Sequence, residues 1–289
     1  MCRLVTRCVL AQPPAFSLQL PALVALGLLV AGCAGAQRPA ALWREQPASA
    51  AARDPHAARV DEARRLLDDG LYDRAKVAVE ALIADHATHP LVPLLRARLA
   101  EQEQDWPGCM DWARRAVEAS PGWGEPRILL ARACLEAGRV GDADAAFADV
   151  DRLLPDSPWG PYGRAWVAAR RLDQAAAAEL ADEALRRDPD HVPSLALRAG
   201  VARMQGEVGL EERLLRRAIA LSEPEASLHA RLGELAAADG RRIDAARAFE
   251  RAYELKPSRE LARRRLDLAR LAGESELIRL WAERAGVTP

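Results

Sequence analysis

The sequence repeats from His56 onward with a constant period of 34 residues, and this repetition restricts the fold more than any other feature. Six units start at residues 56, 90, 124, 158, 192 and 226. Their eighth positions hold only small residues: Ala63, Ala97, Ala131, Ala165, Ala199 and Gly233. A small side chain lets two helices cross closely, and a fixed period of about 20–50 residues is typical of stacked repeats. The sequence therefore predicts an all-α solenoid.

Turn and stop signals recur at fixed places in the same frame. Glycines stand where the first helix of a unit is expected to end, at Gly70, Gly138, Gly206 and Gly240. Prolines stand where the second helix is expected to stop, at Pro121, Pro155, Pro189 and Pro257. Glycine takes the left-handed conformation of a helix end without steric cost, and proline cannot continue a helix. Each unit is therefore predicted to be a helix–turn–helix pair.

This pattern resembles the tetratricopeptide repeat. The clearest unit, ARLGELAAADGRRIDAARAFERAYELKP, ends at Pro257 and holds Gly233, Ala245, Phe249 and Ala252 at positions typical of that family. The resemblance implies a right-handed solenoid of about six repeats over residues 56–259, whose first helices line a concave face. Residues 260–289 hold two more helical patterns, which are predicted to form a C-terminal capping helix pair.

Four positions depart from the repeat pattern. Gln104 and Leu172 replace the turn glycine in units two and four. Glu211 occupies the small twentieth position of unit five, and Ala87 replaces the closing proline of unit one. We expect these units to be distorted at those points.

The N-terminal segment has the pattern of an export signal. An apolar run extends from Pro21 to Gly32, which is too short to cross a membrane because a spanning helix needs about 20 residues. Arg3 and Arg7 precede it without any acidic residue. The sequence Val30-Ala31-Gly32-Cys33 resembles the lipobox of bacterial lipoproteins. This resemblance implies a signal peptide over residues 1–32 and acylation of Cys33, which would anchor the protein in a membrane.

Residues 33–55 are rich in alanine and proline and are predicted to be a tether between the lipidated cysteine and the repeats. Ala34, which follows the cysteine, favours the outer membrane under the enterobacterial sorting rule. The alternative is an ordinary signal cut after Ala36, which would leave a soluble periplasmic protein.

Charge and cysteine content narrow the class of protein further. The 41 basic and 42 acidic residues are balanced, which argues against nucleic acid as a partner. Cys109 and Cys134 lie at positions ordinarily filled by small or apolar residues, so we interpret them as buried hydrophobes, with a disulfide between them as the alternative. His86 and His89 alone are too few ligands for a metal site, and no metal is predicted.

The concave face contains the candidate binding site. In the family, positions 2, 5, 9, 12 and 13 of the first helix face the groove. In unit four these include Trp159, Tyr162, Trp166 and Arg170, and neighbouring units contribute Arg98, Ile128, Arg132 and Arg203. We predict that this groove binds a partner segment offering an apolar anchor with acidic neighbours. The alternative is that the three rings fill gaps left by unusually small neighbours.

No motif of a catalytic site is present: there is no GxxxxGK[ST], HExxH, GxSxG or CxxC sequence. We therefore predict no enzymatic activity and no cofactor. The sequence favours a membrane-anchored protein–protein interaction scaffold of the bacterial cell envelope. The layout is similar to that of pilotin-like or outer-membrane assembly lipoproteins, with envelope proteins as partners. A soluble periplasmic adaptor and a helper subunit of an envelope enzyme are alternatives, and the oligomeric state stays open.

Overall fold

The computed structural model describes residues 55–85, 88–222 and 225–288. In this part of the chain every regular element is an α-helix, and no strand occurs. The fourteen helices are α1 Ala57–Asp68, α2 Tyr72–Ala84, α3 Leu91–Gln102, α4 Trp106–Ala119, α5 Gly124–Glu136, α6 Val140–Leu153, α7 Trp159–Arg170, α8 Gln174–Arg187, α9 Val192–Gln205, α10 Val208–Leu221, α11 Ala226–Ala238, α12 Arg242–Leu255, α13 Arg259–Ala272 and α14 Ser275–Ala285.

The helices pair into seven consecutive hairpins that stack as an α-solenoid. The first helix of each hairpin begins 33 to 35 residues after the one before. Each helix packs against the next helix in the chain, and α1, α3, α5, α7 and α9 also contact one another in succession. Because the first helices touch directly across the hairpins, they lie on the inner side of the stack. The prediction of an all-α solenoid is confirmed.

The turn between the two helices of each hairpin keeps one conformation even where glycine is missing. Gly206, which ends α9, has a φ of 75°. Gln104 and Leu172 occupy the same place in their hairpins with φ values of 57° and 65°. Their hairpins therefore keep the standard turn at a steric cost, since the left-handed conformation is unfavourable for a residue with a Cβ atom. The expected distortion is absent at both turns.

The interior is built from small and aliphatic side chains at the predicted helix crossings. One large core cluster extends from Val60 in α1 to Val201 in α9, and three smaller clusters occupy the remaining hairpins. Phe147 and Phe249 are the large residues at the crossings of the third and sixth hairpins. The close approach of helices through alanine accounts for the high alanine content, because bulkier residues would separate the backbones.

One crossing is polar. Glu211 in α10 is 1% exposed, and its two carboxylate oxygens accept hydrogen bonds from Arg231 of α11 at 2.6 and 3.0 Å. Arg231 also pairs with Glu234 at 2.8 Å. A buried carboxylate at a position otherwise held by a small residue is thus tolerated because it has a bidentate partner in the next hairpin. Charge complementarity replaces apolar contact at this junction.

The C-terminal hairpin covers the end of the stack. Trp281 of α14 is buried and contacts Tyr253 of α12 edge-to-face, with ring centroids 5.1 Å apart. Arg265 of α13 is 6% exposed and donates to Glu250 of α12 at 2.8 Å. These contacts join the last hairpin to the one before it, as expected of a capping pair.

The predicted signal peptide, Cys33 and the tether before residue 55 lie outside the described residues, as does His86. Among the helices that the structure describes, none has the length and apolar character needed to cross a membrane.

Candidate functional site

Helix α7 carries the three predicted groove aromatics because it can approach its neighbour α6 very closely on the opposite side. A Cβ atom at Gly163 would lie 2.0 Å from the ring of Phe147 in α6, so only glycine fits there. Trp159, Tyr162 and Trp166 follow at spacings of three and four residues, which places them on one face of α7.

The three rings form a continuous cluster in the interior of the solenoid. Trp159 is 4% exposed, Tyr162 0% and Trp166 2%. The Tyr162 ring lies 5.5 Å from that of Trp159, edge-to-face, and 6.1 Å from that of Trp166. Both distances lie in the range in which aromatic pairs stabilise each other. Packing is therefore what these rings do in this conformation, and their predicted role as partner anchors stays a prediction.

His191, which directly precedes α9, completes the cluster. Its ring stands edge-to-face against Trp159 at 4.7 Å and against Tyr162 at 5.4 Å. Its Nδ1 atom lies 2.7 Å from the hydroxyl of Ser194. Burial lowers the pKa of His191 to about 3, so the imidazole is neutral at physiological pH. The histidine thus acts as a fourth aromatic ring that links α7 to α9.

The cluster fits because the following hairpin is small where others are large. Positions 5 and 9 of that hairpin hold Ala196 and Gly200, and both residues are buried. The corresponding positions of the third hairpin hold Ile128 and Arg132. Small residues on α9 leave room for the large rings of α7, which is the arrangement that the alternative interpretation of the sequence describes.

The predicted groove arginines form ion pairs with acids of the preceding hairpin. Arg98 contacts Asp68 at 3.3 Å, Arg132 contacts Glu101 at 2.7 Å, and Arg170 contacts Glu136 at 3.2 Å. The side chains of Arg98, Arg132 and Arg170 are 10%, 21% and 38% exposed. We call these three pairs the concave ladder, since each connects consecutive first helices. The ladder leaves little net positive charge on this surface.

The other predicted groove residues are less accessible or lie in a different charge environment. Ile128 is 5% exposed. Burial lowers the pKa of Arg203, and the positive charge of Arg231 lowers it further. Arg203 is therefore part of the charged junction around Glu211, a different region from the aromatic cluster.

The sequence analysis missed the acidic half of the ladder and His191. Asp68, Glu101 and Glu136 fall at positions 12 and 13 of their units, roughly one repeat before the arginine that each contacts. That spacing was readable from the sequence, because side chains at similar positions in consecutive repeats lie side by side. His191 stands in the loop before a first helix, and its contact with α7 depends on how the hairpins stack.

Neither cysteine pairs nor any metal site appears in the described part of the chain. Cys109 and Cys134 are free and buried, as predicted. Burial raises the pKa of the Cys109 thiol to about 12. His89 is buried and accepts a hydrogen bond from the Leu91 amide at 3.2 Å. No group of three potential metal ligands occurs among the described residues.

Comparison with known proteins gives a short sequence match and an extended structural one. No protein-family model matches the chain. It is 29% identical over 125 residues to cellulose synthase operon protein C of Xanthomonas axonopodis pv. citri (strain 306), and the match covers 40% of this chain but only 8% of that protein.

A tetratricopeptide repeat protein from Parabacteroides merdae ATCC 43184 superposes with a TM-score of 0.60 and 16% identity, over 86% of this chain and 98% of that one. The chain folds as a tetratricopeptide repeat solenoid. PilW, described as a widely conserved type IV pilus biogenesis factor, is similar in fold with a TM-score of 0.57 and 17% identity, over 71% of this chain and 95% of PilW. At these identities the likeness concerns the tetratricopeptide fold.

Proposed function

We propose that this tetratricopeptide solenoid is a non-catalytic, membrane-anchored protein–protein interaction scaffold of the bacterial cell envelope. Its concave face binds an envelope protein, and acylated Cys33 holds it at the outer membrane, where it assists assembly of a complex in the manner of a pilotin. The observation that carries the proposal is the inner surface of successive first helices, which forms one extended concave face.

The concave ladder supports a binding role at this surface. Arg170 and its partner Glu136 keep 38% and 28% of their side chains exposed, so both are accessible to a second protein. The adjacent cluster holds two buried polar atoms, Trp159 Nε1 and His191 Nε2, that have no hydrogen-bond partner among the described residues. A partner segment that opened the edge of the cluster would offer acceptors or donors to these atoms and apolar surface to the rings.

The membrane-anchoring part of the proposal is supported by the sequence and by the fold of one neighbour. Val30-Ala31-Gly32-Cys33 has the order of aliphatic, small and cysteine residues that lipid attachment requires. PilW, whose printed description concerns type IV pilus biogenesis, has the same fold. The alternative of a soluble periplasmic adaptor differs in one measurable respect, which is the absence of a lipid on Cys33.

A helper subunit of an envelope enzyme is the second candidate function. The match to a cellulose synthase operon protein favours it, although that match covers a small part of the relative. In this role the concave face would bind an enzyme subunit in place of an assembling outer-membrane protein.

Two measurements test the proposal. The first is metabolic labelling with a fatty-acid probe: the wild-type chain incorporates label and Cys33→Ser does not. An unlabelled wild-type protein would reject anchoring and favour the soluble adaptor.

The second measurement is capture of the partner with a matched pair of charge variants. Arg170→Gln removes a concave arginine, whereas Arg152→Gln removes an arginine of α6 whose side chain is 79% exposed. We expect Arg170→Gln to slow capture and weaken its salt dependence, and Arg152→Gln to leave both unchanged. Equal behaviour of the two variants would place binding away from the concave ladder.

A further inference from the structure

The N-terminal end of the solenoid has an open groove that is partly apolar. It lies between α1 and α2 and has a volume of about 540 Å³. Its apolar wall consists of Leu66, Val77, Ala78 and Ala81, and its charged residues are Arg59, Glu62, Asp73 and Arg74. Val77 is 70% exposed, although valine on a helix surface is usually covered when it lines a concave site.

The groove is at the place that a preceding second helix occupies in the interior hairpins. Position 7 of α7 is Arg164, which contacts Asp144 of α6 at 3.6 Å, and position 7 of α9 is Arg198, which contacts Asp182 of α8 at 3.0 Å. The corresponding residue of α1 is Glu62, one of the groove residues. In the described part of the chain no helix precedes α1, so this surface lacks the neighbour that covers its equivalents.

The chain itself supplies a segment of suitable chemistry immediately before α1. Residues 39–46, Pro-Ala-Ala-Leu-Trp-Arg-Glu-Gln, have two large apolar side chains, Leu42 and Trp43, followed by one cation and one anion. Only eight residues, 47–54, separate this segment from the start of the described chain. A flexible linker of that length has an r.m.s. reach of about 16 Å, which exceeds the roughly 8–10 Å between packed helix axes.

We propose that residues 39–46 dock in the N-terminal groove and serve as a cap for the solenoid. Leu42 and Trp43 cover Val77 and Ala78, while Arg44 and Glu45 face the groove acids and arginines. The segment is shorter than a full second helix because Pro47 cannot continue a helix from residue 46. This cap is the counterpart of the C-terminal hairpin, since both ends of a repeat stack have to be covered.

Docking would also set the distance between the repeats and the membrane. If residues 39–46 are held against α1 and α2, only residues 34–38 remain between Cys33 and the folded body. The r.m.s. reach of that remainder is about 12 Å, compared with about 25 Å for the whole tether. This consequence rests on the acylation of Cys33 proposed above, whereas the docking itself does not.

Hydrogen exchange of the purified full chain tests the docking with a matched control. Val77→Gln places a polar group in the groove, and Ile243→Gln makes the equivalent change at another 70% exposed residue of a second helix. We expect Trp43→Ala and Val77→Gln each to speed exchange of the α2 amides by about tenfold. The double variant should exchange no faster than either single variant, because both remove the same contact. Ile243→Gln should leave exchange in α12 unchanged.

The outcomes separate the possible occupants of the groove. Additive effects, or no effect of Trp43→Ala, would overturn the proposal. If protection of α2 responds to Val77→Gln and to protein concentration but not to Trp43→Ala, a second copy of the chain covers the groove. If α2 is protected only after a captured partner is added, the partner covers it. Fatty-acid labelling of Cys33 is scored separately, so failure of the docking and failure of the anchor are distinguishable.

Discussion

Tyr162→Ala should destabilise the fourth hairpin more than almost any other single truncation. The side chain is fully buried, and its ring contacts those of Trp159, Trp166 and His191 at 5.5, 6.1 and 5.4 Å. An aromatic side chain buries about 150–250 Å², which corresponds to roughly 4–6 kcal/mol at 25 cal/mol per Å². That area value is an upper bound, and measured truncations of buried aromatics cost about 3–5 kcal/mol. We expect a loss of about 4 kcal/mol.

The appropriate assay is native-state hydrogen exchange, because a repeat stack opens hairpin by hairpin. A loss of about 4 kcal/mol corresponds to a roughly thousandfold faster exchange of the α7 and α9 amides where exchange follows local opening. Tyr72→Ala is the matched control, since Tyr72 is 43% exposed at the start of α2 and should change exchange by less than about tenfold. If Tyr162→Ala behaved like Tyr72→Ala, the packing role derived from the cluster would be refuted.

The same variant decides whether the aromatic cluster also binds a partner. Capture is measured under conditions in which circular dichroism shows that the variant remains helical. An anchor role predicts that binding weakens by about 2 kcal/mol or more, which is roughly thirtyfold in the dissociation constant. Trp159→Ala and Trp166→Ala should then show the same loss. Variants that melt early but bind normally while folded would confine these rings to packing.

Four further predictions concern stability and reactivity. Because the pKa of His191 is lowered from 6.5 to about 3, its stabilisation is fully present above pH 6.5 and is lost as the pH falls toward 3, by about 1.4 kcal/mol per pH unit; denaturant melts of His191→Phe should lack this dependence. Leu172→Gly should raise the free energy of unfolding by up to about 1 kcal/mol, because it removes a left-handed leucine that is 50% exposed; an unchanged denaturation midpoint would contradict the strain. Cys109, whose pKa is raised to about 12, should resist alkylation at pH 8 until the protein is unfolded, as followed by mass spectrometry. Deletion of residues 259–289 exposes Tyr253 and should cause loss of helicity or aggregation, whereas a truncated protein as soluble and heat-stable as the full chain would show that the last hairpin is dispensable.

The fold was predictable because the repeat pattern is a record of helix crossings. A small residue is required wherever two helices meet closely, so the period of Ala63, Ala97 and their equivalents identifies the hairpins without any long-range information. The turn conformation was underestimated for the opposite reason. Gln104 and Leu172 look like defects in the sequence, but the stacked neighbours hold their hairpins in the standard geometry and the strain is small compared with that packing.

The candidate site was less predictable, because side chains on the first helices interact across hairpins. The spacing of Trp159, Tyr162 and Trp166 correctly placed them on one face of α7. Whether that face is open depends on the size of the residues on α9 and on the position of His191, which no pattern within one unit reveals. Likewise, Glu211 departs from the repeat, and only its contact with Arg231 in the next hairpin explains it.

The concave ladder determines what kind of partner the groove can select. Each rim arginine already has a carboxylate from the preceding hairpin, so an acidic partner must replace an existing ion pair and gains little net attraction. Partly exposed pairs of this kind contribute about 0–1 kcal/mol each, and exchanging one for another changes affinity by still less. The rim charges therefore act mainly on the rate and orientation of approach. Most of the affinity has to come from apolar contact, and the largest apolar surface near the ladder is the buried cluster of α7. Binding at this face would thus be coupled to opening of the cluster, so stabilising the cluster should weaken capture while leaving its salt dependence unchanged.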